Sequence, residues 1–416
     1  MYLIMKKINS FNVLIIGTDI NAYYMARCYY EEYNRKANII GKEIMWFTSC
    51  SNITNVVIEP NLWDSKTFVD VLVNYHKNNF KNVDKVLLIS SNDYYVRLIT
   101  ENKNILKKYY VFNYPNYDIV DKFLVKDKFY NNFKDCDIEM PKTTVYSFKN
   151  NTNLKKELEN FKYPLIMKAG DGFEYHKHEF SGMKKVYKIN NLDELNNELK
   201  SIKKSGYKEN IVIQEFIPGG DDMLFDSIFY VNKNGEIILS TFAQIGLQER
   251  TPSAVGNCTV LINGYNQFGN SKEEVKKLGK FLKKVGYRGF AEFDLKYDIR
   301  DKKFKVLEIN PRQARSSYYL CACGYNLVKY LVDDCIFNKK LKKAFIEDEI
   351  LLTIVPKNII KKYITNEKYK NKALELYNKG KYASPLKCKL DNKLKRKIYL
   401  ILRDIKYNRK YKNNKF

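Results

Sequence analysis

"AEFDLKYDIRDKKFKVLEINPR", residues 291–312, has the pattern of a β-hairpin, with two alternating segments joined by the charged turn "DIRDKK". Side chains of a strand alternate between its two faces, so Glu292 and Asp294 share one face of the first strand. By the same rule, Glu308 and Asn310 share one face of the second strand. Because adjacent strands pair, the hairpin predicts that these four oxygen-bearing side chains converge on one sheet face.

Carboxylates that converge in this way repel each other unless a cation lies between them. A donor set made only of oxygens favours a hard ion such as magnesium. Magnesium is usually held by one or two carboxylates together with substrate phosphates, so the hairpin indicates a polyphosphate ligand. The alternative is that these acids are solvated residues of an outer face, paired with the many lysines of the chain.

A lysine and a polar loop upstream favour the polyphosphate interpretation. In "YPLIMKAGDGFEYHKHEFSGMKKV", residues 163–186, Lys168 ends a predicted strand and glycines punctuate the loop that follows. Backbone N–H groups of such a loop can approach phosphates, and the lysine adds fixed positive charge. His176 and His178 have no third ligand nearby, so we interpret them as mobile polar residues rather than metal ligands.

The segment "NIVIQEFIPGGDD", residues 210–222, is a predicted strand that runs into a Pro-Gly-Gly turn. A connector of this kind can offer backbone donors and acceptors to a purine edge. Asp221 or Asp222 is then placed to accept hydrogen bonds from ribose hydroxyls. Taken alone, the segment could also be an ordinary strand end.

The first part of the chain predicts a small doubly wound α/β domain over residues 1–115. "NVLIIG" (12–17) is a buried strand followed by a helix, and "KVLLIS" (85–90) begins a second unit of the same kind. Between them, "IMWFTS" (44–49) is strand-like and "SKTFVDVLVNYHKNN" (65–79) is helix-like. The first turn, "GTDINA", lacks G-x-G-x-x-G, so there is little support for a dinucleotide site there.

The rest of the chain divides into two further regions. From about residue 140 the strands are separated by turns with few helices, which predicts an antiparallel α+β region. We place the domain boundaries at 116–335 for this region and at 336–416 for a basic, helical C-terminal extension. In that extension Leu394, Ile398, Ile401 and Leu402 recur at helical spacing among lysines, which is typical of an amphipathic helix.

Composition excludes some classes of protein. The chain has 416 residues with 45% hydrophobic content, which argues against a disordered chain. Its longest apolar runs fall short of the roughly 20 residues that span a bilayer, and residues 1–10 lack a signal-peptide pattern, so we expect a cytoplasmic protein. The eight cysteines show no CxxC pair, and we expect reduced thiols.

The formal charge of +26 raises the alternative of a non-catalytic polyanion- or nucleic-acid-binding protein. Residues 339–416 carry 24 Lys and Arg against 7 Asp and Glu, so much of the charge lies in the last fifth of the chain. The basic residues do not alternate with stacking aromatics in a pattern typical of RNA binding, and we expect no specific nucleic acid. Weak association of the basic tail with an anionic membrane surface is a further alternative.

The order of these segments resembles the ATP-grasp superfamily over roughly residues 115–335. The glycine loop departs from the tighter Gly-Ser-rich versions of that superfamily. Within it, "QERTPSAVGNC" and the segment around "VLEINPRQARSS" resemble the D-aspartate ligase type of carboxylate–amine ligase. The matching segments are "VKDKFY" with Lys128, "YPLIMKAGDGF" with Lys168, "IVIQEFIPGGDD", "GFAEFDLKYD" with Glu292, and "VLEINPR" with Glu308, Asn310 and Arg312.

The resemblance implies a fold, α/β plus α+β, in which a Rossmann-like pre-ATP-grasp domain precedes an ATP-grasp domain with antiparallel sheets. It also implies three groups of site residues, with Asp294 in a supporting position behind the metal ligands. The ATP-binding group comprises Lys128, Lys168, Gln214, Glu215, Ile217 and Asp221. The magnesium ligands are Glu292, Glu308 and Asn310, with Mn²⁺ as an alternative ion. The catalytic group comprises Arg312, Arg250 and Arg315.

The activity implied is ATP-dependent ligation in two steps. A carboxylate attacks the γ-phosphate to give an acylphosphate, and an amine then displaces phosphate. Arg312 is expected to bind phosphate or the developing oxyanion, and Arg315 or Arg250 a substrate carboxylate, with structural salt bridges as the alternative for the latter two. The resemblance implies a small carboxylate donor, such as D-aspartate, and an amine of a cell-wall precursor. A ligase of another amino-acid or small-molecule pathway is the alternative.

Overall fold

The computed structural model describes residues 10–150, 153–251 and 254–414. Its first part is a parallel sheet in the order β3-β2-β1-β4, covered by helices. The strands are β1 (Phe11–Ile16), β2 (Ala37–Gly41), β3 (Thr54–Ile58) and β4 (Lys85–Ser90). The helices are α1 (Ile20–Tyr33), α2 (Trp46–Ser49), α3 (Phe68–Asn79), α4 (Asp93–Glu101) and α5 (Lys103–Leu106).

This sheet begins as the apolar pattern predicts and then departs from it. β1 is almost wholly buried, and the Asp19 side chain caps α1 by accepting hydrogen bonds from the backbone N–H groups of Asn21 and Ala22. The predicted strand at residues 44–49 is wrong, because that segment contains the short helix α2. A short apolar run does not distinguish the two states, and in α2 only Thr48 is buried.

Two helices and a second sheet follow. This sheet is antiparallel, in the order β5-β8-β6-β7, and is referred to below as the small lobe. The helices that lead into it are α6 (Tyr117–Leu124) and α7 (Lys126–Phe133). The strands are β5 (Thr143–Tyr146), β6 (Leu165–Ala169), β7 (Tyr187–Ile189) and β8 (Ile211–Glu215). The helices within it are α8 (Leu154–Glu157), α9 (Gly172–Tyr175) and α10 (Leu192–Lys204).

A mostly antiparallel sheet of nine strands forms the largest part of the molecule, with the main path β14-β13-β9-β11-β12-β16-β17. The first six strands are β9 (Leu224–Val231), β10 (Ile237–Thr241), β11 (Ala243–Gln248), β12 (Cys258–Asn263), β13 (Gly289–Asp298) and β14 (Lys303–Asn310). The helices that accompany them are α11 (Ser271–Lys284), α12 (Tyr318–Ala322) and α13 (Leu327–Cys335).

The predicted hairpin of residues 291–312 is formed by β13 and β14, and its register brings the four oxygen-bearing side chains together. Glu292 lies opposite Asn310, and Asp294 opposite Glu308. On its other edge β13 pairs with β9, which places Asp226 beside Asp294. The four predicted side chains therefore share one region of the sheet.

The structure does not separate residues 336–416 from the large sheet. Three segments of this region are strands of that sheet: β15 (Ala344–Ile346), β16 (Ile350–Thr353) and β17 (Tyr382–Ala383). The helices are α14 (Lys357–Tyr363), α15 (Glu367–Asn378) and α16 (Leu394–Asn413). In the part of the chain that the structure describes, none of the helices has the length and apolarity needed to cross a bilayer.

Candidate functional site

A cavity of about 680 Å³ lies between the small lobe and the large sheet. Volumes of this size are typical of sites that enclose a small-molecule ligand. β6, β8 and the connector after β8 form one wall, and β13 and β14 form the other. The lysine strand and the acidic hairpin that the sequence singled out therefore face a single space.

The hairpin acids form one side of this cavity. Glu292, Asp294, Glu308 and Asn310 all line it, and Glu292 and Asn310 are buried. Burial, together with the charge of Asp226, raises the pKa of Glu292 to about 8. Burial also raises the pKa of Asp294 well above its ordinary value, together with the charges of Glu292 and Glu308. These groups therefore repel each other at close quarters.

Asp226, on β9, is an acid that the sequence pattern did not single out. Its Oδ2 accepts a hydrogen bond of 2.5 Å from Ser316 Oγ, whereas its Oδ1 is buried without a hydrogen-bond partner. Burial, with a contribution from the charge of Asp294, raises the pKa of Asp226 to about 7. Only the pairing of β9 with β13 could have shown that "DSIFYVN" brings a further carboxylate to the hairpin.

The donor set of the hairpin fits a hard divalent cation. Among residues 10–150, 153–251 and 254–414, no three His, Cys, Asp or Glu side chains form a group that could hold a metal by themselves. A magnesium ion bound through substrate phosphates needs only one or two carboxylates and keeps other oxygen ligands. Glu292 and Glu308, with the Asn310 amide, meet that requirement, and an added cation would relieve the repulsion among the buried acids.

Three lysines face the acids across the cavity. Lys126, Lys168 and Lys185 line the wall, and the Lys126 Nζ lies 3.7 Å from Glu308 Oε2. Burial lowers the pKa of Lys168 to about 8. Burial alone would raise the pKa of Glu308, but these three lysines hold it below its usual range.

The structure does not bring Lys128 to this wall. Its Nζ lies 2.5 Å from Asp121 Oδ2, and about half of its side chain (49%) is exposed. Lys126, two residues earlier, occupies the cavity instead. The two lysines lie on different sides of α7 because residues two apart on a helix differ by about 200°. Phe129, Tyr130 and Phe133 pack α7 against the core and fix its rotation.

The glycine loop is more ordered than its composition suggests. Part of it forms α9, whose N-terminus is capped by Asp171, and Arg97 pairs with Asp171 at 3.1 Å. A Cβ on Gly170 would lie 2.7 Å from the Asn210 carbonyl oxygen, so close backbone packing requires glycine there. Gly172 lines the cavity and has open space around it.

The end of β8, with Gln214 and Glu215, and the connector after it, with Ile217 and Asp221, also line the cavity. Several of their polar atoms have protein partners. The Gln214 Nε2 donates to Thr143 Oγ1 at 2.8 Å. The Glu215 Oε1 accepts from the backbone N–H of Lys142 at 2.9 Å. These hydrogen bonds hold the end of β8 in place at the cavity wall.

Asp221 and Glu215 are each held by two contacts. The two Asp221 oxygens accept from the backbone N–H of Gln248 at 3.0 Å and from its Nε2 at 2.9 Å. The other oxygen of Glu215 accepts from Arg300 Nη2 at 2.9 Å. Both carboxylates are thus fixed in orientation at the cavity wall.

Two of the three predicted arginines reach the cavity. Arg312 joins the hairpin to the N-terminal region, because Nη1 lies 3.1 Å from Glu292 Oε2 and Nη2 lies 3.0 Å from Asp93 Oδ2. Arg315 donates from Nη2 to Glu249 Oε1 at 2.7 Å. The Nε atoms of Arg312 and Arg315 are buried without a hydrogen-bond partner.

Arg250 does not line the cavity. Its Nη2 lies 3.8 Å from Asp221 Oδ2, and its guanidinium lies 5.7 Å from the centre of the Tyr411 ring. Tyr411 belongs to α16, as does Tyr407, which donates to Glu249 and accepts from Arg315 at 3.2 Å. Structural salt bridges, the alternative considered for Arg250 and Arg315, are present for both residues, and their contacts with α16 were not predicted.

Comparison with known proteins gives one relative in sequence and several in fold. No protein-family model matches the chain. The chain is 29% identical over 391 residues to the D-aspartate ligase of Enterococcus faecium, which covers 92% of this chain and 91% of the relative.

Solved structures share the fold at low sequence identity. N5-carboxyaminoimidazole synthetase from Staphylococcus aureus, in complex with ADP, matches with a TM-score of 0.61 and 14% identity, over 88% of this chain and 86% of that chain. The L-amino acid ligase from Bacillus licheniformis matches with a TM-score of 0.56 and 15% identity, over 78% of this chain and 73% of that chain. These structural likenesses concern the fold alone.

Proposed function

We propose that this chain, an ATP-grasp ligase that resembles the D-aspartate ligase type of carboxylate–amine ligase, joins a small carboxylate to an amine at the expense of ATP. One observation carries the proposal. Buried acids on the hairpin face three lysines across a single cavity, which is the charge arrangement needed to hold a metal-bound polyphosphate.

We assign the nucleotide to the connector and the lysine wall. Gln214, Glu215 and Ile217 would line the adenine, and Asp221 would accept from the ribose. Because Lys128 pairs with Asp121 outside the cavity, the role predicted for it passes to Lys126.

Lys168 and Lys185 complete the phosphate-binding charge. Lysine binds phosphate as a point charge and does not need a planar, bidentate geometry. Lys168 is fixed at the end of a strand, and Lys126 at the start of a helix. Positive charge at these positions does not have to be reorganised during phosphoryl transfer.

Glu292, Glu308 and Asn310 would hold magnesium, with Mn²⁺ as an alternative ion. When bound, the metal would neutralise charge on the transferred phosphoryl group. Asp226 and Asp294 lie next to these ligands, and a bound cation would favour the charged forms of both. Asn310 Nδ2 lies 3.3 Å from Asp294 Oδ2, so Asp294 helps to orient the amide.

The chemistry follows from this placement. A carboxylate oxygen of the donor attacks the γ-phosphorus, the bond to the bridging oxygen breaks, and ADP leaves. The amine nitrogen then attacks the acylphosphate carbon, phosphate leaves with the electrons of the C–O bond, and the nitrogen releases its proton to solvent. Arg312, fixed between Asp93 and Glu292, would stabilise the oxyanion or the departing phosphate.

The substrates proposed are D-aspartate or a similar amino acid as donor and an amine of a cell-wall precursor as acceptor. The sequence likeness to a D-aspartate ligase supports the choice of donor. Arg315 lines the cavity with a guanidinium that Glu249 orients from behind, so it can bind a substrate carboxylate. Arg250, which lies beside Asp221 at the edge of the cavity, would assist in binding the substrate carboxylate.

The test is phosphate release from magnesium-ATP by the purified chain, with D- and L-amino acids as donors and a panel of amines. We expect release that requires one donor and one acceptor together and that is lost in Glu308→Gln. Lys128→Gln, at the exposed lysine outside the cavity, is the matched control and should retain activity. If the chain does not bind ATP in the presence of magnesium, the proposal is wrong.

A further inference from the structure

The helix α16 turns two arginines and a tyrosine, Arg396, Arg403 and Tyr411, to the protein and its aliphatic residues away from it. Leu394, Ile398, Ile401, Leu402 and Ile405 are between 47% and 72% exposed. At 100° per residue these five side chains fall within an arc of about 100° on one side of the helix. We call this stripe the outward face. A helix packed on its own domain normally buries such a stripe.

The opposite side of α16 holds the helix to the protein through charged and aromatic groups. Arg396 is 1% exposed; its Nη1 donates to the Phe47 carbonyl at 2.9 Å, and its Nε lies 2.9 Å from Asp391 Oδ2. Arg403 is buried and donates from Nη1 to the Ile354 carbonyl at 2.7 Å. The orientation of the helix is thus fixed, so the outward face cannot simply rotate inward.

Basic residues border the outward face. Those exposed on α16 are Lys395, Lys397, Lys406, Arg409 and Lys412. The helix has one acid, Asp404, which lies 3.8 Å from both Lys387 and Arg403. Aliphatic residues flanked by lysines are typical of helices that lie in the interface of an anionic bilayer.

An exposed tryptophan adjoins the same surface. Trp46, from α2, is half exposed, and its ring lies 5.8 Å from the Tyr399 ring of α16. The Lys395 Nζ lies 5.3 Å from the Trp46 ring. Tryptophan is enriched at the headgroup level of membranes because its ring is amphipathic. The apolar surface therefore extends from the helix onto the N-terminal sheet domain.

We infer that the outward face of α16, together with Trp46, docks the chain on the surface of an anionic lipid bilayer. The basic residues that border the outward face favour an anionic bilayer over a second copy of the chain. A second copy of the chain would bring the same basic border against itself, because a two-fold contact pairs identical surfaces. An anionic headgroup layer pairs with the lysines while its acyl region takes up the aliphatic side chains. The inference goes beyond the proposed function and does not rest on it.

The test uses the full chain, with the substitution Trp63→Phe, so that Trp46 is the single tryptophan. Vesicles of phosphatidylglycerol and phosphatidylcholine are compared with vesicles of phosphatidylcholine alone. We expect co-sedimentation with the anionic vesicles and a blue shift of Trp46 emission. Higher salt should weaken binding, since the lysine contribution is screened. The Glu308→Gln chain should bind equally well, which separates docking from catalysis.

Two pairs of substitutions test the two parts of the surface. Ile401→Ser with Leu402→Ser should weaken partitioning by at least roughly tenfold, because apolar area no longer enters the bilayer. Lys397→Gln with Lys406→Gln should weaken it by roughly thirtyfold, because each basic residue near an anionic surface strengthens binding by a factor of roughly five.

Matched controls lie elsewhere on the surface. Ile105→Ser with Ile299→Ser removes exposed aliphatic residues of other elements, and Lys276→Gln with Lys280→Gln removes exposed lysines of α11. Both control pairs should bind like the parent chain. Equal binding to neutral vesicles, or binding unaffected by the α16 pairs, would overturn the inference. A concentration-dependent dimer that Ile401→Ser with Leu402→Ser abolishes, without vesicle binding, would assign the surface to a second copy instead.

Discussion

Two buried clusters in this molecule, the acids of the hairpin and Glu249 with its partners, differ in the charges that surround their carboxylates. In the hairpin cluster, Glu292 pairs with Arg312 but also lies beside Asp226 and Asp294, and burial raises its pKa to about 8. Around Glu249, by contrast, Arg315, Tyr407 and Lys410 all contact the carboxylate. Burial alone would raise the pKa of Glu249, but these contacts hold it below its ordinary value.

This difference distinguishes a candidate binding site from a contact that only stabilises the fold. A buried acid with its cations in place is already satisfied and joins elements of the fold. Buried acids that still repel each other, despite Arg312 and the facing lysines, favour binding of further positive charge, and perturbed groups in a cavity are for that reason candidates for function. The predictions below test whether the two clusters respond in these two ways, in order of expected effect.

The largest effect is expected in the hairpin cluster. Glu308→Gln should lower ATP-dependent phosphate release by about 1000-fold, the upper range for loss of one electrostatic group at a reacting centre. The amide keeps the shape of the side chain, so the far-ultraviolet circular dichroism spectrum should be unchanged. Steady-state kinetics with magnesium-ATP provides the measurement, and activity within about tenfold of the parent would contradict the assignment of Glu308 as a metal ligand.

The second effect is expected in the Glu249 cluster and concerns stability. Glu249→Gln leaves Arg315 and Lys410 without their carboxylate, and the free energy of unfolding should fall by about 2 kcal/mol because both cations are partly exposed. Glu367→Gln is the control. Glu367 is 72% exposed in its pair with Lys370, so this substitution should lower the free energy of unfolding by less than about 0.5 kcal/mol. Urea denaturation of the two variants measures the contrast. Equal changes would contradict it.

A third effect compares the two lysines of α7. Lys126→Ala should raise the KM for ATP by about tenfold, the size expected when one phosphate contact is lost. Lys128→Ala should leave the KM unchanged, because Lys128 pairs with Asp121 away from the cavity. If instead Lys128→Ala raises the KM and Lys126→Ala does not, the assignment made from the sequence was right and the one made from the structure is wrong.

The smallest effect is a pH dependence of the Glu249 cluster. The folded pKa of Glu249 lies below its unfolded value, so its stabilising contribution is present above the unfolded pKa of about 4.5. That contribution is lost as pH falls through the folded pKa. The difference in unfolding free energy between the parent and Glu249→Gln should therefore be full at about pH 6 and smaller at about pH 4. A difference that does not change between these pH values would show that Glu249 stabilises the fold by packing alone.

Local pattern was sufficient for the hairpin, since period-two alternation alone predicts the shared face on which Glu292 and Asn310 lie opposite each other. It was also sufficient for β1, α1, α3 and β4, whose apolar patterns are clear. Pattern could not choose between Lys126 and Lys128, because that choice depends on the rotation of α7 against the core.

Contacts between distant segments were beyond sequence reasoning. Asp226, Asp93 and Glu249 meet their partners through strand pairing or helix packing across the chain. The strands of residues 344–383 were missed for a similar reason. They are two to four residues long and are defined by partners such as β10 and β12.

The contacts of Tyr407 and Arg315 with Glu249 connect α16 to the wall of the cavity. If a ligand on Arg315 and docking of the helix both stabilise the arrangement of Glu249, Tyr407 and Lys410, then the two binding events are coupled. Such coupling is equal in both directions. The free energy by which a bound ligand strengthens docking of the helix then equals the free energy by which the docked helix strengthens binding of the ligand.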